Sequence, residues 1–291
     1  MDLFSLILTL RPLKPAAPEQ PLPRWWGTAA HHLCLQAIQQ SDENLSAALH
    51  EGSELRPFTT STLMGRFPGH QLDLQADYLL RFTGLNRQVS EALYAATQTG
   101  AALAPGAVVQ LEFLDFQVRA VWCENGSHPL AGQMDYSELA AASLLEAEAA
   151  DRYVNFRFAS PTGFHRNGRQ VPYPLPELVI GSLLERWNAF APIAFPAEAR
   201  RYAEECLYLS QLQIRSRGVK VAAGYEIGLV GSVSFGTLNY DRYWMSLMQT
   251  LARFSYYSGV GVKTGMGMGQ CRNAERRQRK ARVSSGNDAN S

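Results

Sequence analysis

The sequence predicts an α+β fold of two tandem β-α-β-β-α-β halves, the ferredoxin-like arrangement, with a C-terminal glycine-rich loop. Three observations predict it. The order of elements runs through the same cycle twice. A short Ala/Glu-rich stretch, Ala140–Asp151, separates the two cycles. The run Ser258-Gly-Val-Gly-Val-Lys-Thr-Gly-Met-Gly-Met-Gly-Gln270 then sets five glycines between a predicted helix and a predicted last strand. With 291 residues, 46% of them hydrophobic, the chain has enough material for one large core or two ordinary ones.

In the first half, Leu3–Leu10 is apolar and β-rich. Pro12, Pro15, Pro18, Pro21 and Pro23 then keep the chain extended. From Thr28 or Ala29 to Gln40, the spacing of Leu33, Ala37 and Ile38 predicts a helix with one apolar face. Ser41 or Asp42 caps a second, short helix ending near His50, with Gly52 as its stop signal. Phe58–Leu63 and Asp77–Gly84 read as strands, Asn86 caps a helix to about Thr99, and Val108–Trp122 reads as one long apolar strand region.

The second half opens on an alternating strand, Tyr153–Ala159, followed by a Pro/Gly/Arg-rich loop over Pro161–Pro174 and a helix over Leu175–Phe190. Leu207–Arg217 and Val219–Phe235 form a predicted hairpin turning at Gly218. A helix over Asp241–Tyr257, the glycine run and a last strand at Met268–Arg272 complete the cycle. The expected units are 1–145, 146–273 and a basic tail over 274–291, whose polar composition predicts disorder.

Net charge is only +1, yet seven basic residues against Glu275 alone lie between Lys263 and Arg282. Arginine is favoured over lysine along the chain, which suits bidentate phosphate contacts. Cys34, Cys123, Cys206 and Cys271 are widely spaced and show neither a zinc pattern nor a disulfide framework, so free thiols in a reducing cytoplasm are expected. Leu3–Leu10 is too short to span a membrane and has no basic flank or cleavage site. No metal or cofactor is expected.

Glycine tolerates positive φ and lets backbone approach a partner closely, so the glycine run is a source of convergent N–H groups for an anion, with Lys263 beside them. It is not a Walker A loop, because Lys263-Thr264 follows Val262 and lacks the Gly-Lys-Ser/Thr triplet. Nor is it a dinucleotide fingerprint, because a helix precedes it where a strand is required. A nucleotide-dependent enzyme is therefore disfavoured.

These features resemble the repeat-associated RNA-binding (RAMP) superfamily of CRISPR systems and, within it, the CRISPR repeat-processing endoribonucleases, the "Cas six" family. The resemblance rests on Tyr256 through Arg272, on Leu49-His-Glu51 followed by Arg56-Pro-Phe-Thr-Thr-Ser61, on Asn155 through Thr162, and on Leu183-Leu-Glu-Arg-Trp-Asn188. It implies an RRM-like tandem fold and antiviral cleavage of precursor CRISPR RNA within repeats, yielding mature guide RNA. In the implied reaction the ribose 2′-OH attacks the adjacent phosphate without a metal, leaving a 2′,3′-cyclic phosphate and a 5′-OH. A non-catalytic subunit that holds the crRNA handle in an effector complex is the alternative.

The resemblance matches His50 to the family's histidine and makes it the first choice for the catalytic imidazole, with His31 and His32 as the candidates if His50 is not catalytic. His50 also ends a short helix, whose dipole favours an imidazolium able to protonate the leaving oxygen. His31 and His32 open the first helix about 100° apart, so at most one faces a site there. Arg56 is the candidate for stabilising the phosphorane. Some family members carry a catalytic tyrosine on the first helix; Leu33, Cys34 and Leu35 stand there instead, which leaves the general base unassigned. RNA binding is expected from Gly259, Gly261, Lys263, Gly265, Gly267 and Gly269, from Arg215, Arg217 and Lys220 on the hairpin, and from Arg157 with Arg166 and Arg169. Trp25, Trp26 and Tyr257 are candidate base-stacking aromatics, and Arg276, Arg277 and Arg279 add salt-sensitive affinity. The implied partners are CRISPR repeat RNA, other effector subunits and a second copy of the chain, with no membrane.

Overall fold

β1 (Leu3–Pro12) is buried along nearly all of its length, as its almost unbroken apolar sequence requires of a central strand. The computed structural model describes residues 1–17, 19–51, 55–146, 149–221 and 224–274; the side chains of residues 46, 48, 50 and 51 fall outside the description. After β1 come α1 (Gly27–Ser41), α2 (Glu43–Glu51), β2 (Phe58–Thr60), β3 (Tyr78–Gly84), α3 (Arg87–Ala95), β4 (Val108–Leu111), β5 (Leu114–Trp122), β6 (Gly132–Met134) and α4 (Tyr136–Leu144). The caps act as expected: Asn86 accepts from the Val89 N–H at 2.9 Å, and Asp42 from the Leu45 N–H at 2.9 Å.

The second half contains β7 (Tyr153–Thr162), β8 (Phe164–Arg166), β9 (Arg169–Val171), α5 (Pro176–Phe190), α6 (Glu198–Cys206), β10 (Leu207–Val221), β11 (Gly224–Thr237), α7 (Arg242–Ser258) and β12 (Cys271–Asn273). The first sheet runs β2-β3-β1-β5-β4, with β6 beside the start of β1, and the second runs β10-β11-β7-β12. Taking β1, β2, β3 and β5, or β7, β10, β11 and β12, as first to fourth strands, both sheets have the order 2-3-1-4. The fold is therefore two tandem ferredoxin-like units, as the element order predicts.

Each half has its own core. Phe4, Leu6, Leu8, Leu33, Ile38, Phe82 and Phe116 pack in the first. Phe156, Leu183, Trp187, Phe235, Met248 and Phe254 pack in the second. α4 contributes Tyr136 and Leu139 to the second core, with the Tyr136 ring edge-on to Trp187 at 5.0 Å. No helix among the described residues is long and apolar enough to cross a membrane. All four cysteines are free thiols.

Several local expectations need correction. Gly218 is not the hairpin turn; it pairs with Ile227 inside the ladder, and both strands continue to Val221 and Gly224. A Cβ at 218 would lie 1.8 Å from the hydroxyl at the tip of the exposed Tyr225 side chain, which would have to swing aside. Val108–Trp122 is a hairpin that turns after Leu111, with Glu112 at φ 54°. The loop after β7 holds a two-stranded hairpin turning on Asn167-Gly168, both at positive φ. α6 arises from Ala199, Tyr202 and Ala203 on one helical face. The residues expected to form the tail lie, from 275 onward, outside the described residues, among them Arg276, Arg277 and Arg279.

The halves meet through a buried polar network. Arg81, on β3, is 4% exposed. Its Nε donates to Ser5 Oγ at 2.8 Å and to the Leu130 carbonyl at 3.2 Å. Nη1 donates to Gln270 Oε1 at 3.1 Å and Nη2 to the Tyr256 carbonyl at 2.7 Å, while the guanidinium lies 4.3 Å from the Tyr256 ring centroid. Thr83 Oγ1 donates to the Tyr257 carbonyl at 2.8 Å, and Gln270 Nε2 returns a bond to the Thr60 carbonyl at 3.0 Å. Burial pulls the Arg81 pKa down, and the neighbouring tyrosines oppose that shift. Truncation here strands several buried acceptors. Arg81→Ala should therefore lower the unfolding free energy by about 3 kcal/mol or more in urea titration. Removing the exposed Arg119 should change it by less than about 0.5 kcal/mol.

Candidate functional site

α7 ends at Ser258, and the glycine run that follows is threaded between the halves. Its residues from Gly259 to Gln270 are mostly buried. On the second-half side, the Gly261 N–H donates to Ser182 Oγ at 2.8 Å, the Val262 N–H to the Gly163 carbonyl at 3.0 Å, and the Gly269 N–H to the Pro161 carbonyl at 2.9 Å. The first half grips the loop's carbonyls. Trp25 Nε1 donates to Met266 O at 2.8 Å, Thr60 Oγ1 donates to Gly265 O at 3.0 Å, and His31 Nδ1 lies 2.8 Å from that same oxygen. Ser61 and Gly267 form a parallel bridge.

Glycine is obligatory where the backbone crosses other backbone. Gly261 sits at φ 79°, and a Cβ on it would be 2.2 Å from the Gly163 carbonyl oxygen. The loop is thus a strap joining the two halves, and most of its glycines face protein. Among the described residues, the N–H groups of Lys263, Thr264 and Gly265 have no acceptor. Lys263 is itself in the left-handed conformation, φ 58°, opening a 3-10 turn over Thr264–Met266.

Those three residues line a cavity of about 610 Å³ between the halves. The first half contributes His31, Leu55 and Arg56 to its wall; the second contributes His165, one face of α5 (Glu177, Gly181, Ser182, Glu185, Arg186), Arg200 and the strap from Gly261 to Met266. Arg56, Arg186, Arg200 and Lys263 face two carboxylates, and both carboxylates have partners. Glu177 is 3.1 Å from Arg166 and Glu185 is 4.0 Å from Arg200. The wall therefore carries an excess of positive charge suited to an anion.

The predicted catalytic residues divide unevenly. His31 and Arg56 both reach the cavity. His32 is exposed and absent from the cavity lining. With Nδ1 carrying the proton, His31 donates to Gly265 O, which fixes the ring and turns Nε2 away from the strap. The Phe58 ring, 5.4 Å away, packs beside it. His50 stands near the end of α2, and its side chain lies outside the described residues.

A second basic surface lies on the exposed face of the β10-β11-β7-β12 sheet. Arg157 and Arg215 line a groove with Gln213 and Ser232. Arg217 continues it along β10, whereas Lys220, expected to join this surface, lies on the opposite face of the strand because side chains alternate. Arg272, on β12, stands directly opposite Arg157, so two exposed cations face each other across neighbouring strands. Arg166 and Arg169 are exposed on the β8–β9 hairpin. Trp25, Trp26 and Tyr257 are at most 7% exposed, so the candidate stacking aromatics are core residues. Arg186, Arg200 and Arg272 are the cations whose placement sequence reasoning missed. Gly181 was a signal for Arg200, since glycine inside a helix needs a reason and a Cβ there would lie 3.3 Å from Arg200 Nε.

Residues 156–271 match the family model described as CRISPR-associated endoribonuclease Cas6. The CRISPR-associated endoribonuclease Cas6 of Mycobacterium tuberculosis is 31% identical over 133 residues, covering 45% of this chain and 42% of that protein. That of Streptococcus thermophilus is 25% identical over 150 residues, covering 50% of this chain and 61% of that protein. The chain thus spans about half the length of the curated relatives it matches. Among solved structures, a Cas6 product complex aligns over 94% of this chain and 100% of its own, with TM-score 0.75 and 28% identity. A second product complex, of a Thermus thermophilus Cas6, aligns over 94% and 99%, with TM-score 0.74 and 25% identity. The Cas6 resemblance read from the motifs is present in the sequence matches and in the fold alike.

The strap's geometry has a direct consequence for stability. Gly261→Ala should cost at least about 2 kcal/mol, from the strained φ and the collision with Gly163. Gly168→Ala, at φ 72° with open space around its Cβ, should cost only about 1 kcal/mol. Urea midpoints of the two variants check the contrast.

Proposed function

We propose that this Cas6-like chain is an endoribonuclease that cuts precursor CRISPR RNA within its repeats, in the cavity between its two halves. The ribose 2′-OH attacks the adjacent phosphorus, and the bond to the 5′-oxygen of the next nucleotide breaks. The products are a 2′,3′-cyclic phosphate and a 5′-OH, and the step requires no metal. The observation that carries this reading is His31 beside Arg56 and Lys263 in one positively charged cavity.

His31 is held by its Nδ1 contact to the Gly265 carbonyl; as an imidazolium it gives its Nε2 proton to the departing 5′-oxygen, while solvent takes the proton of the attacking 2′-OH. A positioned imidazole contributes roughly 10²–10⁴-fold to such a transfer. Arg56, Lys263 and the N–H groups at the start of the 3-10 turn are the donors for charge developing on the phosphorane oxygens. The row Arg272–Arg157, with Arg215 and Arg217 along β10, tracks the RNA backbone. Of the strap glycines, Gly261 and Gly265 border the cavity; Gly259, Gly267 and Gly269 act by shaping the strap.

Incubation with repeat RNA in EDTA tests the reading. Cleavage with 2′,3′-cyclic phosphate ends is expected, and an RNA with a 2′-deoxy nucleotide at the cut site should bind and stay intact. Binding without any cleavage of the unmodified RNA would instead identify a non-catalytic subunit that holds crRNA. His31→Ala should slow single-turnover cleavage by roughly 10²-fold or more while repeat affinity stays near wild type. His32→Ala should change the rate by only a few-fold, about the scatter expected of a surface substitution. Normal cutting by His31→Ala would move the catalytic assignment to His50.

A further inference from the structure

Among the described residues, two arginines are deeply buried, and their hydrogen bonding differs. Arg81 has a protein acceptor for each of its three nitrogens. Arg186, on α5, is 5% exposed, and among the described residues it makes one hydrogen bond, from Nη2 to the Gly261 carbonyl at 2.7 Å. Its Nε is buried with no partner. It forms no salt bridge among the described residues, although Glu185 is its chain neighbour. Burial pushes its pKa down to about 10, which still leaves it charged at neutral pH.

A buried guanidinium that is only partly satisfied is costly, and native proteins rarely keep one without a purpose. Arg81 lies in the interface network. Arg186 lies in the wall of the cavity, beside the strap and the uncommitted N–H groups of Lys263, Thr264 and Gly265. Its one protein bond goes to the strap residue that opens this stretch. Low dielectric around such a cation strengthens its pull on an anion entering the cavity.

We infer that Arg186 is a phosphate-binding residue of this cavity, anchoring the strap through Nη2 and taking an RNA phosphate oxygen with Nη1, the one nitrogen that is neither tied to the strap nor sealed from solvent. The assignment rests on the proposal that the cavity receives RNA. It adds a third cation to Arg56 of the first half and Lys263 of the strap, so that the second half grips phosphate through α5 as well as through the strap.

The test is equilibrium binding of repeat RNA carrying a 2′-deoxy cut site to the full chain, as wild type, Arg186→Met and Arg186→Lys, across a series of salt concentrations. Arg186→Met should bind roughly tenfold or more weaker, and the slope of log K against log salt should shrink by about 0.7, the loss of one single-strand phosphate contact. Arg186→Lys should keep the slope and lose part of the affinity, since an ammonium cannot tie the strap and hold the phosphate at once. An Arg186→Met protein with a lower urea midpoint but an unchanged salt slope would make Arg186 a structural tie only, and overturn the inference. Should Arg186→Met fail to fold, wild-type affinity in Arg186→Lys would overturn it equally. Binding is read without cleavage, so the two proposals fail separately. A wild type that binds but never cuts unmodified RNA sinks the nuclease reading, whereas an Arg186→Met that retains the full slope sinks only this one.

Discussion

The last turn of α7 leaves the carbonyls of Tyr256 and Tyr257 without intrahelical partners, and the first half supplies both: Arg81 Nη2 donates to one and Thr83 Oγ1 to the other. A cation at a helix C-terminus also complements the helix dipole, and here it does so from inside the protein. The same guanidinium reaches Gln270, at the far end of the glycine strap, and Gln270 returns a bond to the β2 backbone. Both ends of the strap are therefore fixed against the first sheet by one buried network. With the ends fixed, the path between them is determined by where backbone can pass through two closely packed halves.

That passage explains the glycines better than ligand binding does. Gly261 crosses the end of β7 so tightly that no side chain fits, and Gly267 lies in a bridge with Ser61. Between them the strap turns over Thr264–Met266 against β2, held there by Thr60, and this turn, with α5 and the start of α1, encloses the cavity. The position of His31 follows from the same packing, since a strap carbonyl orients its ring. In this fold the joint between the halves and the candidate site share the glycine strap, so a change that loosens one disturbs the other.

The fold was largely legible in the sequence because its elements obey local rules. Central strands such as β1 are continuously apolar, α1 carries its stripe, and Asn86, Asp42 and Asp241 cap the helices they precede. The errors came where a residue answers to a distant neighbour. Gly218 looks like a turn but lies inside a continuous ladder, paired with Ile227. Trp25 looks like an exposed stacking residue in a proline-rich linker, yet its indole N–H is fixed on Met266, 241 residues away in sequence. The Asn167-Gly168 turn was readable from its dipeptide and was passed over inside a segment dense in loop residues.

The sequence by itself determined the two β-α-β-β-α-β cycles, the importance of the glycine run and a short roster of histidines and arginines, because periodicity, capping and composition act over a few residues. Only the tertiary structure decided which of them meet. It separated His31 from His32, although their helical positions differ by a single residue, by placing one against Gly265 and leaving the other in solvent. It turned the glycine run from an open cradle into a buried strap, and it put Arg186, a residue inside an ordinary amphipathic helix, into the cavity wall. Those outcomes depend on contacts between residues more than seventy positions apart, which no local pattern encodes.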